Sequence, residues 1–238
     1  MAGLLLVHGA GGTVEGHFGG LLRRLGGRFR WVAGELPGRG GVGVDEAVDG
    51  LLAAADDAGV DAFVVCGYSL GTPLAVRLAV RCPERVRGVV LTAPFARADH
   101  RMRLGLSVWR GLYESGRPRL LAEQLALTGL GGSFLDRTDP DRLRAMLMLA
   151  PAPPAATPGH LELAGRIDVR EDLARLAVPA LVVVTVEDPL VSPDRQRALA
   201  AAVPGARTAE LATGHLPFWE DPEGWADLVE EFLEGGLR

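Results

Sequence analysis

A chain of 238 residues, 48% of them hydrophobic and with a formal net charge of −5, suits one well-buried α/β domain and leaves no room for a second. The mild acidity and the lack of any basic run argue against a nucleic-acid surface. All 25 basic residues are arginine, so Schiff-base lysine chemistry and a P-loop lysine are both excluded, and the abundance of Ala, Gly, Arg, Val and Pro points to a GC-rich bacterial genome.

In chain order, a strand-length apolar run, Gly3-Leu4-Leu5-Leu6-Val7, ends in His8-Gly9-Ala10-Gly11-Gly12. A helix is predicted over 20–25, then a strand over 29–33 leading to Leu36-Pro37-Gly38-Arg39-Gly40, and a helix over 44–58. The next strand, 62–66, enters Gly67-Tyr68-Ser69-Leu70-Gly71, and a helix over 70–81 leaves it. A serine on so sharp a strand-to-helix turn needs a strained backbone and neighbours without side chains, which Gly67 and Gly71 supply.

A strand over 86–91 follows. The stretch 97–166 is then too long for an ordinary connection and reads as a helical lid, with helices near 104–115, 119–127 and 139–149 before a proline-rich run from Pro151 to Pro158. A strand over 181–186 delivers Glu187-Asp188-Pro189, a helix covers 195–202, and a strand over 207–211 leads to Thr213-Gly214-His215 before a last helix at 224–233. The alternation predicts a mostly parallel sheet of about six core strands with helices on both faces. The expected division is a core of 1–96 and 167–238 carrying a lid of 97–166.

The His8-Gly9 motif, the Leu36-Pro37-Gly38-Arg39-Gly40 loop, the elbow at Ser69 and the Asp188 and His215 loops stand in the order found in the α/β-hydrolase superfamily, which the chain resembles over most of its length. The resemblance implies Ser69 as nucleophile, His215 as general base and then acid, Asp188 as the carboxylate that orients the imidazole, and an oxyanion hole from the N–H groups of Ala10 and Leu70. The chemistry asks for such a set. A serine hydroxyl needs a base in reach, the base needs one fixed tautomer, and the tetrahedral intermediate needs donors at its oxygen. Glu187 and Asp99 are alternative acids. His8 reads as support for the oxyanion loop, and His17, His100 and His160 as surface or capping residues. The usual hairpin before the first strand is missing, which predicts six strands rather than eight and an exposed edge as a candidate homodimer contact.

Leu106, Trp109, Leu112, Tyr113, Met146 and Met148 are placed by the lid pattern to form an apolar cavity, with Trp109, Tyr113 and Met146 as candidate substrate-binding residues. The expected activity is hydrolysis of an ester, thioester or lactone of a mainly apolar small molecule through an acyl-enzyme, with no metal or organic cofactor. Three alternatives stand beside it. The His8-to-Gly12 and Leu36-to-Arg39 segments also resemble type II thioesterases, which would bring an acyl-carrier protein as partner. The same elbow serves acyltransferases, carbon–carbon bond hydrolases and cofactor-free haloperoxidases. A cyclase, an epimerase or a binding protein on this scaffold is the third, and the intact serine, acid and histidine argue against it. Cys66 and Cys82 suggest no disulfide framework, and Cys66 reads as a small buried hydrophobe. With no leader-like N-terminus and no stretch long enough to cross a bilayer, a cytoplasmic protein is expected.

Overall fold

Apolar runs without polar interruption belong in strands covered on both sides, and three such runs, at 3–7, 63–68 and 180–185, pair with three less apolar strands into one parallel sheet. The computed structural model describes residues 3–235. The strands are β1 (Gly3–Val7), β2 (Trp31–Gly34), β3 (Phe63–Tyr68), β4 (Val86–Thr92), β5 (Ala180–Thr185) and β6 (Arg207–Leu211), in the order β2-β1-β3-β4-β5-β6. Side chains alternate between two cores. Leu5, Val7, Val65, Leu91, Val182 and Val184 face one, which takes α2 (Val44–Asp57) and α3 (Gly71–Arg81). Leu4, Leu6, Val64, Cys66, Val90 and Val183 face the other, covered by α1 (Val14–Leu25) and α12 (Pro222–Gly235).

The first connection leads outward from β1 to β2, and the second returns past β1 to β3. The strand order therefore reverses between β1 and β3, and in open parallel sheets that is where a crevice opens at the carboxyl ends. His8-Gly9 leaves β1 at this point and Ser69 leaves β3. The outer strand β2 exposes Trp31 at 47%.

Between β4 and β5 the chain forms α4 (His100–Glu114), α5 (Pro118–Gly129), α6 (Gly132–Arg137), α7 (Pro140–Leu149), α8 (Thr157–Arg166) and α9 (Arg170–Leu173). After β5 come α10 (Pro193–Ala202) and, past β6, α11 (Pro217–Glu220). Two differences from expectation have local causes. Helix α1 starts at Val14 rather than 20, because the Thr13 hydroxyl accepts the Gly16 N–H at 3.1 Å and caps its first turn. Helix α8 follows the proline-rich run where no helix was expected, with Pro158 in its first turn, a position proline tolerates. Its Leu161, Leu163 and Ala164 join the α2–α3 core.

Candidate active site

Three loops at the carboxyl ends of β3, β5 and β6 converge beside the crevice. Ser69 sits at φ +49°, a left-handed conformation that costs a non-glycine residue free energy and persists because its surroundings fix it. The Ser69 N–H donates to the Thr92 carbonyl at 3.0 Å, and the Thr72 hydroxyl donates to the Ser69 carbonyl at 2.7 Å. A Cβ on Gly67 would stand 2.6 Å from the Gly71 carbonyl oxygen, so the turn closes only with glycine there.

The Ser69 Oγ lies 2.8 Å from His215 Nε2, and His215 Nδ1 lies 2.7 Å from Asp188 Oδ2. All three residues are buried. Asp188 is held from every side. Its Oδ1 accepts the N–H groups of Leu190 at 2.9 Å and Val191 at 2.8 Å, and its Oδ2 accepts the Thr185 hydroxyl at 2.9 Å and the Gln196 amide at 3.0 Å. A carboxylate so surrounded holds one orientation and selects the His215 tautomer with its proton on Nδ1, leaving Nε2 to accept from Ser69. The Tyr68 hydroxyl donates to the His215 carbonyl at 2.9 Å and steadies that loop from below. Gln196 is fully buried, and nothing in the local motif pointed to it.

The alternative acids are engaged elsewhere. Glu187 accepts the Ser133 N–H at 2.8 Å and the Ser133 hydroxyl at 2.6 Å, tying α6 to the β5 loop. Asp99 caps α4 by accepting the Met102 N–H at 2.8 Å and pairs with Arg195 at 2.6 Å. Glu220, pushed above its ordinary carboxyl value chiefly by burial, accepts the N–H groups of Gly214 at 2.9 Å and Gly131 at 3.2 Å, joining the His215 loop to the lid.

Neither the Ala10 N–H nor the Leu70 N–H has a protein acceptor among the described residues, and both residues line the cleft. Two histidines expected on the surface are found at this loop instead. His160 is buried, and His17 is wedged edge-on against Tyr68, with ring centroids 4.7 Å apart, and against Phe218 at 5.1 Å. Of the three, only His100 is exposed, in the first turn of α4. His8 is buried as well, and its Nδ1 lies 2.8 Å from the Gly9 carbonyl.

Above the serine, a cavity of about 250 Å³ is walled by Leu106 and Trp109 of α4, Leu125 of α5, Met146 of α7, Leu190 and Phe218. Its wall is mostly apolar. The Trp109 ring edge lies where a Cβ on Gly11 would be, and Gly11 has φ +65°. Tyr113, Leu112 and Met148 are not among the lining residues. The Tyr113 hydroxyl donates to the Pro154 carbonyl at 3.3 Å and braces the lid, and Met148 is 80% exposed. Cys66 is buried under the elbow, which pushes its thiol up to about 12. Among the described residues no group of three or more His, Cys, Asp or Glu is placed to hold a metal ion, and no helix is long and apolar enough to cross a membrane.

Comparison with known proteins matches residues 4–228 to the alpha/beta hydrolase family. The pyrrolizixenacetamide deacetylase of Xenorhabdus hominickii is 30% identical over 241 residues, covering 97% of this chain and 90% of that protein. A pimeloyl-(acyl-carrier protein) methyl ester esterase of Neisseria meningitidis serogroup B is 32% identical over 251 residues, covering 98% of this chain and 93% of that protein. Among solved structures, a thermophilic esterase from Thermogutta terrifontis superposes with a TM-score of 0.82 at 24% identity, over 100% of this chain and 91% of that one, a likeness of fold.

Proposed function

Because the chain belongs to the alpha/beta hydrolase family, we propose that it is a serine hydrolase that opens a carboxylic ester bond through an acyl-enzyme on Ser69. The observation that carries the reading is the unbroken chain from Ser69 through His215 to Asp188, at 2.8 and 2.7 Å, on the floor of an apolar cavity. His215 Nε2 takes the Ser69 proton as Oγ attacks the carbonyl carbon, and Asp188 stabilises the imidazolium that forms. The amides of Ala10 and Leu70 receive the negative charge on the former carbonyl oxygen. His215 returns the proton to the leaving alcohol oxygen, and water, deprotonated by the same nitrogen, releases the acid and restores Ser69.

The apolar wall supports an acyl group without charge along most of its length. Between a free small molecule and an acyl group presented by a carrier protein, the second reading is favoured, because relatives of 32% identity over nearly the whole chain act on pimeloyl groups on acyl-carrier protein. In those relatives the bond cleaved is a methyl ester, so the carrier reading here concerns an ester at the far end of the tethered chain, ahead of the carrier thioester.

Intact-mass spectrometry after fluorophosphonate treatment tests the chemistry. One adduct is expected on the wild type, none on Ser69→Ala and little on His215→Ala; an unlabelled, folded wild type would remove the hydrolase reading. For the substrate, the methyl ester of a dicarboxylic acyl chain is offered on acyl-carrier protein and as the free half-ester. A kcat/KM at least about tenfold higher for the tethered form is expected, a margin worth about 1.4 kcal/mol, and equal values would return the reading to a free small molecule.

A further inference from the structure

We propose that His17 and His160 are positioning residues of the oxyanion hole, accepting the amide hydrogens on either side of Ala10 so that the Ala10 amide alone is left to meet the substrate oxygen. This rests on the donor role proposed above for Ala10. Four successive amides form the turn after β1. The Gly9 N–H donates to His17 Nδ1 at 3.1 Å, the Gly11 N–H donates to His160 Nδ1 at 3.3 Å, and the Gly12 N–H donates back to the Gly9 carbonyl at 3.4 Å. Ala10 is the one amide of the four without an acceptor. With the peptide units before and after it pinned, its own has little freedom to turn, and an oxyanion donor contributes through being aimed in advance.

The choice of acceptor follows from the charge that develops. A carboxylate would accept these amides equally well, but it would set a negative charge beside the forming oxyanion. A neutral imidazole accepts through its bare nitrogen and adds no charge. The hydrogen-bond partners assign the tautomers. His160 must carry its proton on Nε2, which donates to the Leu36 carbonyl at 3.2 Å. His8 is the reverse: its Nδ1–H donates to the Gly9 carbonyl, and its Nε2 accepts the Leu36 N–H at 3.4 Å. Leu36 is thus gripped at both its amide and its carbonyl, and the turn after β1 is stitched to the turn after β2 through two imidazoles of opposite tautomer. Burial lowers the affinity of His17 and His160 for a proton, which keeps them neutral as this arrangement needs. The ionisable groups facing the cluster are the three imidazoles themselves, His215, the Tyr68 phenol packed against His17, which burial keeps protonated, and Glu35, whose carboxylate lies 3.7 Å from His8 Nε2.

His160 also links the hole to the insertion between β4 and β5. It stands on α8, whose Gly159 packs against the loop after β2 so closely that a Cβ there would be 2.5 Å from the Gly38 carbonyl carbon. Displacing α8 therefore releases the Gly11 amide.

The experiment has two arms. On the wild type, ¹⁵N-histidine NMR at pH 7 is expected to show His17 and His160 with Nδ1 unprotonated and Nε2 protonated, and His8 with the opposite pattern. A protonated Nδ1 on either His17 or His160 overturns the proposal, whatever reaction the protein catalyses. In the second arm, His160→Phe keeps a ring without an acceptor, whereas His160→Asn places an amide oxygen near the position of Nδ1. On a p-nitrophenyl acyl ester, His160→Phe is expected to lose about tenfold to a hundredfold in kcat with KM within about twofold, less than the full loss of an oxyanion donor, and His160→Asn to recover most of it. Equal kcat in the two variants, or a loss confined to KM, overturns it. Should His160→Phe not fold, the Gly11 amide decides: it is expected to keep its hydrogen-exchange protection in His160→Asn, and loss of that protection in a folded His160→Asn counts against the proposal.

Discussion

Replacing Gln196 by glutamate changes one atom type at the back of the site and puts a number on how tightly the Asp188 carboxylate is held. The Gln196 Nε2 donates at 3.0 Å to Asp188 Oδ2 and at 2.8 Å to the Val191 carbonyl, while Oε1 accepts the Thr185 N–H at 3.0 Å. In Gln196→Glu the nitrogen becomes an oxygen facing two acceptors. Two unit charges 3 Å apart repel by about 5 kcal/mol at an effective dielectric constant of about 20, equivalent to about 4 pKa units. The introduced carboxyl therefore keeps its proton up to about pH 8. Below that pH it donates to Asp188 as the amide did; above it the pair carries two charges and Asp188 is driven out of place. The sign is fixed: the protonated form supports the site, so the kcat/KM of Gln196→Glu relative to wild type, measured on a p-nitrophenyl ester from pH 6 to 10, is expected to be highest at low pH and to fall through about pH 8. A protonated carboxyl has one hydrogen where the amide had two, so a loss of about 1–3 kcal/mol in urea unfolding at pH 6 is expected as well. A ratio that stays flat across the range would refute the reasoning.

Acid is expected to destabilise the fold before its carboxylates titrate. Burial pushes His17 down to about 3 and lowers His8 and His160 too, so between about pH 6.5 and those values the unfolded chain binds more protons than the native one. Stability is thus lost as pH falls, by about 1.4 kcal/mol per pH unit for His17 alone, or about 2 kcal/mol at pH 5; the raised Glu220 opposes this with a single proton. Urea midpoints at pH 7.5 and 5.0 check it, and an unchanged midpoint contradicts it. At the elbow, Gly67→Ala sets a methyl group 2.6 Å from the Gly71 carbonyl oxygen, a backbone atom with nowhere to move. A loss of about 2–3 kcal/mol is expected, read as a melting temperature lower by about 5–10 °C, together with a drop in kcat; a normal melt would show that the turn can relax.

The parallel sheet and the Ser69, Asp188 and His215 positions were legible because each is announced locally, by an apolar run that stops at a polar or glycine-rich motif. Gln196, His17 and His160 were not, because their partners lie far off in sequence: 149 positions separate His160 from Gly11. A signal was nonetheless present. Gln196 shares a helical stripe with the buried Leu199, Ala200 and Val203, His160 with Leu163 and Ala164, and His17 with Val14, Phe18 and Leu21. A polar residue standing in an apolar stripe must find a buried partner, and asking which one would have led to the site. The Tyr113 expectation failed for the complementary reason: periodicity places it on the inner side of α4, but its hydroxyl donates to the Pro154 carbonyl, so Tyr113 braces the segment before α8 while Pro154 itself lines the cavity.

The bond between His215 and Ser69 spans 146 residues, and the strand order places β1 between two strands that are made after it. Native pairings of such long separation form late, because the entropy of closing large loops must be lost before the contacts return anything. After dilution from urea, helix signal is therefore expected to recover ahead of catalytic competence. Among the late steps of folding is the one that brings the Ser69 and His215 loops to a common address, and the appearance of activity serves as its clock.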